Sequence, residues 1–223
     1  MQKQKNLLWF TSFLILSFVI HIFNDLFIFK YSFKIIEVFF HEFSHFTTAI
    51  FTGGTIEEFH LRLGSGHVLY GSRSFLSTFL TGLSGYIGAS LFGFFILFSS
   101  YKHYNFILPI LCFLPLTTWF FASDFISFFA LLFLSLFFGT LIFISKYKFV
   151  KLLLQFIGVF VMVSAIYSPT YLWYYSDTGD HILLSENTII PSFIFIILWI
   201  LFACSMLYIS LKIILKEKNK ENL

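Results

Sequence analysis

Apolar stretches long enough to cross a bilayer recur along almost the whole chain, near residues 7–29, 35–52, 75–99, 104–122, 125–145, 149–168 and 191–214. A bilayer core needs roughly 20 apolar residues per helix. Inside hydrocarbon every backbone polar group must find its partner within the protein, so such stretches fold as helices. The break at 122–124, Ala-Ser-Asp, is so short that the flanking spans form either a tight hairpin or one bent unit. Six or seven transmembrane helices follow. Composition agrees: 58% of the 223 residues are hydrophobic and 11% charged, against about 45–50% and about 25% in soluble domains. The expected fold is an all-α polytopic membrane protein, a single domain over 1–223, sited in the cell membrane with the lipid bilayer as its partner. The net charge of +3 is small and comes largely from loops and the Lys-rich tail, so no nucleic-acid partner is expected. The first apolar stretch is too long for a signal-peptide core and lacks a small-x-small cleavage site, so it reads as the first transmembrane helix. Cys112 and Cys204 lie far apart in apolar runs and read as packed thiols.

Lysines set the expected orientation. Lys30, Lys34, Lys102, Lys146, Lys148, Lys151, Lys212, Lys216, Lys218 and Lys220 fall on alternate loops, and Lys3, Lys5, Arg62 and Arg73 on the others. The balance favours a cytoplasmic C-terminus and an external N-terminus.

Two segments are not simple spans. Residues 53–74 alternate as strands do, with Phe59, Leu61 and Leu63 on one face and His60 and Arg62 on the other. The Gly64-Ser65-Gly66 triplet is a turn signal, so a membrane-associated β-hairpin with an unpaired edge is expected. Residues 168–191 are the most polar stretch, carrying Asp177, Asp180, His181 and Glu186. Between these lies TGLSGYIGASLFG (81–93), with Gly85, Ala89 and Gly93 four apart and Ser84 and Gly88 beside them. Such a small-residue face lets membrane helices approach closely and could seat one hard against a neighbour.

The unusual stretch is FFHEFSHFTTAIF, residues 39–51. Ionisable groups within a span are expensive and mark function. On a helix His41 and His45 share a face and can grip one metal ion. Glu42 is placed to reach a water rather than the metal. Two imidazole ligands with an adjacent general base is the zinc peptidase arrangement. The metal lowers the pKa of water from about 16 towards 7 and the carboxylate takes its proton. Without a metal, Glu42 would be a charge in lipid with no partner. Phe51 stands where a metzincin would place its third histidine, so the third ligand comes from far away. Asp124, Asp177 and Asp180 are the carboxylate candidates, with His60, His67 and His181 behind them.

The chain resembles the intramembrane zinc metallopeptidases of the site-2 protease clan, in particular a short bacterial and plant branch. The resemblance runs through FFHEFSHFTTAIFTGGTIE, the hairpin ending GSGHVLYGS, LSGYIGASLFG, and GDHILLSENTIIPSFIFIILW. It implies Zn2+ as cofactor, Asp180 as third ligand with Pro191 and Trp199 behind it, and peptide-bond cleavage in transmembrane protein or peptide substrates. The NPxxxxDG signature of better-known members is absent. For Asp180 to meet the histidines, 177–190 must dip in as a short helix or re-entrant loop along a wet, protein-walled cavity. Asp177 or Thr178 would cap that helix, and residues 179–182 would approach Phe43 or Phe46. A metal transporter is one alternative, although no internal repeat of the kind transporters carry is present. A non-catalytic scaffold holding a structural metal is the other; it would need a fourth protein ligand.

Overall fold

The computed structural model describes residues 2–23, 27–102, 104–174 and 178–216. In these residues eight helices and one hairpin run in the order α1 (Gln2–Ile22), α2 (Phe27–Phe51), β1 (Thr55–Arg62), β2 (Ser65–Gly71), α3 (Phe75–Lys102), α4 (Tyr104–Thr118), α5 (Phe125–Phe143), α6 (Lys148–Tyr167), α7 (Asp180–Glu186) and α8 (Ser192–Lys216). Short 3-10 stretches extend α4 over Trp119–Phe121 and α6 over Ser168–Tyr174. Among the described residues six helical segments are long and apolar enough to cross a membrane: Gln4–Ile22, Phe75–Lys102, Tyr104–Phe121, Phe125–Phe143, Lys148–Tyr174 and Ser192–Lys216. At 25 residues α2 is about 37 Å long, but Lys30, Lys34, Glu37 and Glu42 keep it out of that set.

The helix α6 is the inner post of the bundle. Its residues from Leu154 to Ala165 are all buried, which suits a segment with helices on several sides. Against it and α2 lies α3, whose small-residue face divides its work. A Cβ on Gly93 would come within 2.8 Å of the Gly158 carbonyl oxygen on α6. One on Gly88 would collide with Ser44 on α2. Small side chains thus let one helix contact two neighbours almost backbone to backbone, as they do where no hydrophobic force separates protein from lipid.

The hairpin packs on the other side of α2. Phe59 and Leu61 are fully buried, and the Phe59 ring lies against Phe39 and Phe46. The strands are antiparallel with Arg62 opposite Ser65, so the turn is Leu63-Gly64, and Gly64 adopts φ 91°. The turn therefore comes earlier than the Gly-Ser-Gly triplet suggested, because Gly64 alone supplies the left-handed conformation and Ser65 and Gly66 already pair. Leu63 is consequently exposed rather than sharing the Phe59 face. The outer edge of β1 is covered: the Ser123 amide donates to the Phe59 carbonyl at 3.1 Å, and the Leu61 amide to the Ser127 hydroxyl at 3.0 Å.

Other boundaries differ from the sequence expectation. The first helix ends at Ile22, and Phe27–Phe29 open α2 instead; apolar content alone cannot divide two adjoining helices. Of the polar segment, Ser168–Tyr174 continues the α6 span as a 3-10 turn. The cap of α7 is Gly179, at φ 116° and with no side-chain cap bond, so Thr178 does not serve as the cap. Asp177 lies outside the described residues, as do Lys218 and Lys220.

Candidate metal centre

His41 and His45 lie near the middle of α2, one turn apart. His45 is buried and His41 lies at the edge of a cavity. Their Nε2 atoms are 3.1 Å apart. Asp180, the first residue of α7, puts Oδ2 at 3.1 Å from His41 Nε2 and 3.2 Å from His45 Nε2. The three atoms make a nearly equilateral triangle. Among the described residues these three form a group of ligand-type side chains whose donor atoms lie within 4.8 Å of one another.

Several elements hold that triangle. The His45 Nδ1–H donates to the Thr81 carbonyl on α3 at 2.6 Å, which leaves the Nε2 lone pair facing the triangle. The His41 ring meets Tyr86 edge to face at 4.3 Å, and Tyr86 in turn lies 4.8 Å from Trp199. Trp199 is fully buried and its indole N–H donates to the Leu83 carbonyl at 3.1 Å. Gly85 makes room: a Cβ there would sit 2.5 Å from His41 Cε1 and His45 Nε2. Below, α7 rests on α3, with Leu183 and Leu184 against Gly82.

Glu42 is buried beside His41 and lines the same cavity. A Cβ at Gly66 on β2 would come within 2.7 Å of Glu42 Cγ, so only glycine lets the strand lie this close to the carboxylate. The cavity encloses about 460 Å³ between α2, β2, the Ser168–Tyr174 stretch and the start of α7. Its walls include Gly66, His67 and Val68 of β2, whose outer edge pairs with no other strand among the described residues.

The other third-ligand candidates among the described residues lie elsewhere. Asp124 accepts from Arg62 Nη1 at 2.8 Å and Nη2 at 2.5 Å, and from the Ser127 amide as the cap of α5. Arg62 and that amide hold its carboxyl well below the usual carboxylate range. His60 pairs with Ser123 at 2.8 Å and stacks on His67. His181 is buried next to Gly179 rather than in the triangle. Phe43 and Phe46 point away from α7: Phe43 packs on Phe92 of α3, and Phe46 on Phe59 and Phe121. Phe43, two residues past His41, is turned about 200° round the helix, and Phe46, one past His45, about 100°, so neither ring faces Asp180 as expected. Sequence reading assigned no role to Tyr86 or Thr81. Tyr86 stands inside the quoted glycine segment; the Thr81 carbonyl leaves no trace in sequence.

A protein-family model described as Peptidase M50B-like matches residues 9–210. No curated protein and no solved structure matches the chain.

Proposed function

Because the chain belongs to the Peptidase M50B-like family, the site-2 protease family of metallopeptidases, we propose that it is an intramembrane zinc endopeptidase that hydrolyses peptide bonds of membrane-embedded substrates. The observation that carries this reading is the triangle of His41 Nε2, His45 Nε2 and Asp180 Oδ2 beside a buried Glu42.

The donor set fits zinc. With bonds of 2.0–2.1 Å at tetrahedral angles, ligand atoms stand about 3.3 Å apart, close to the 3.1–3.2 Å edges here. With the His45 proton fixed on Nδ1, a lone pair and a carboxylate oxygen converge on one point, an arrangement that a cation stabilises. Two imidazoles and one carboxylate leave a position open, as catalytic zinc sites do. Bound there, zinc would supply Lewis acidity that polarises a carbonyl and makes water nucleophilic near neutral pH.

The chain's own groups do the rest. Glu42 takes the proton from the attacking water and delivers it to the departing amine. Thr81, Tyr86 and Trp199 fix the imidazoles. The free side of β2 holds an unwound substrate segment by strand addition, since β1 is already covered and β2 borders the cavity. The apolar helices and the alternating lysines support a place in the cell membrane.

The test is reconstitution of the purified protein with single-span substrates and a zinc assay. Cleavage that is lost in Glu42→Gln while about one zinc per chain remains is the expected result. A Glu42→Gln protein that cleaves normally would sink the assignment, and zinc flux into sealed vesicles without cleavage would favour a transporter.

A further inference from the structure

The cavity continues beyond the metal centre along α2. Lys30, Lys34, Glu37, His41 and His45 follow one another at three- and four-residue steps, so they line one face of the helix, and all of them border the cavity. Lys34 and Lys30 stand about 10 and 16 Å from His41 along the axis. Lysines near helix ends usually snorkel to the membrane surface. Here they turn inward: the Lys34 side chain is 15% exposed, its ammonium 2.6 Å from Glu37 Oε2 and bonded to the Ser168 hydroxyl. The Lys30 ammonium lies 5.3 Å from the centre of the Tyr167 ring. Among the described residues, two ammonium groups face one carboxylate at this end, a surplus of one positive charge.

The neighbouring strand ties the two ends together. Gly64 is pressed on the Tyr31 ring, and Gly66 on Val38 and Glu42, so β2 runs in the same direction as α2 and flanks the cavity as it goes. An extended peptide rises about 3.3 Å per residue. One laid along β2 with a peptide bond at His41 would reach the lysines roughly three to five residues away.

We propose that the Lys30–Lys34 end of the cavity is a carboxylate subsite, which takes an acidic side chain or free C-terminal carboxylate of a peptide at that distance from the bond to be cut. The proposal rests on the peptidase reading for its register. An incoming carboxylate would meet Lys30, whose cation–π contact yields readily, while Lys34 stays bound to Glu37 and supplies field. Charge-assisted bonds of this kind in a shielded site are worth about a tenfold preference.

The experiment has a cleavage arm and a binding arm. In the first, single-span peptides carry glutamate or glutamine at successive positions on either side of the cut, and a C-terminal acid or amide. Wild type should cleave one acidic series about tenfold better in kcat/KM. In Lys30→Gln the acid-to-amide ratio should fall to about one, and Lys30→Glu should prefer a lysine at the same position. The acid or amide series that responds identifies the source of the carboxylate. In the binding arm, the same peptides are titrated by fluorescence into the Glu42→Gln protein with and without Lys30→Gln. A Lys30-dependent preference in Kd without cleavage by wild type would refute the peptidase reading and keep the subsite. Equal Kd for acidic and amide peptides would overturn the subsite, whatever the cleavage. Loss of the preference when phosphatidylglycerol is added to the bicelles, with Lys30-dependent lipid binding, would make it a lipid-phosphate site and also overturn the proposal.

Discussion

Arg62 on the hairpin grips both carboxylate oxygens of Asp124, at 2.8 and 2.5 Å, across the start of α5. A carboxylate held this way is occupied, so Asp124→Asn should leave zinc content and cleavage within about twofold of wild type. Asp180→Asn should reduce zinc affinity by at least about 100-fold, a scale set by the loss of one of three ligands. Competition against a chelator, read beside cleavage, distinguishes them; a dead Asp124→Asn with an active Asp180→Asn would reverse the assignment.

Acidification tests the same clamp. Arg62 lowers the folded-state pKa of Asp124 below its unfolded value, so the pair's contribution is present above about pH 4. It is lost as pH falls through the depressed value. Hydrogen exchange at the Leu61 amide should therefore be unchanged from pH 7 to 5 after correction for intrinsic rates. Arg62→Gln should speed it throughout that range.

The proposed imidazole ligands and the proposed carboxylate base should respond differently to removal. His41→Ala and His45→Ala should each empty the site, measured as zinc per chain after gel filtration. Glu42→Gln should retain the metal and lose about 10²–10⁴ in kcat, the usual range for a general base.

Much of this was legible in sequence because the periods are strong. Apolar length marks the helices, and His41, Glu42 and His45 keep helical spacing. Phe59 and Leu61 keep strand alternation. The rest depends on tertiary geometry. Nothing local to Asp180 announces that α7 would bring it to α2; the family resemblance singled it out from five other candidates. Two glycines flank Ser65, and only the conformation of Gly64 decides which of them makes the hairpin turn. Phe43 and Phe46 neighbour the histidines in sequence, but the helical angle turns them to other faces. Thr81 acts through its backbone carbonyl, a group every residue carries.

Gly85 is the point where a single methyl should be felt. In Gly85→Ala the new Cβ would press on both imidazoles, and overpacking of this kind costs about 1–3 kcal/mol. Zinc affinity should fall at least about tenfold while helical circular dichroism stays as in wild type. Unchanged affinity would mean that α2 and α3 separate easily there.

The open side of β2 should matter for long substrates. Val68→Pro removes a backbone donor from the strand that borders the cavity. Cleavage of a full transmembrane substrate should drop at least tenfold, with zinc content near one per chain. Retained cleavage would remove strand addition as the mode of binding.

The charge along α2 also bears on how the chain is made. Lys30, Lys34, Glu37 and Glu42 sit within one 25-residue helix, and each charged residue near a helix centre costs about 2.5–3.5 kcal/mol during insertion by the translocon. Glu37 and Glu42, nearest the centre of α2, therefore weaken its insertion most. Its glycine-lined berth on α3 and the strands packed against its other side are synthesised only after it. Stable insertion of α2 should therefore depend on α3, whose glycine face receives it.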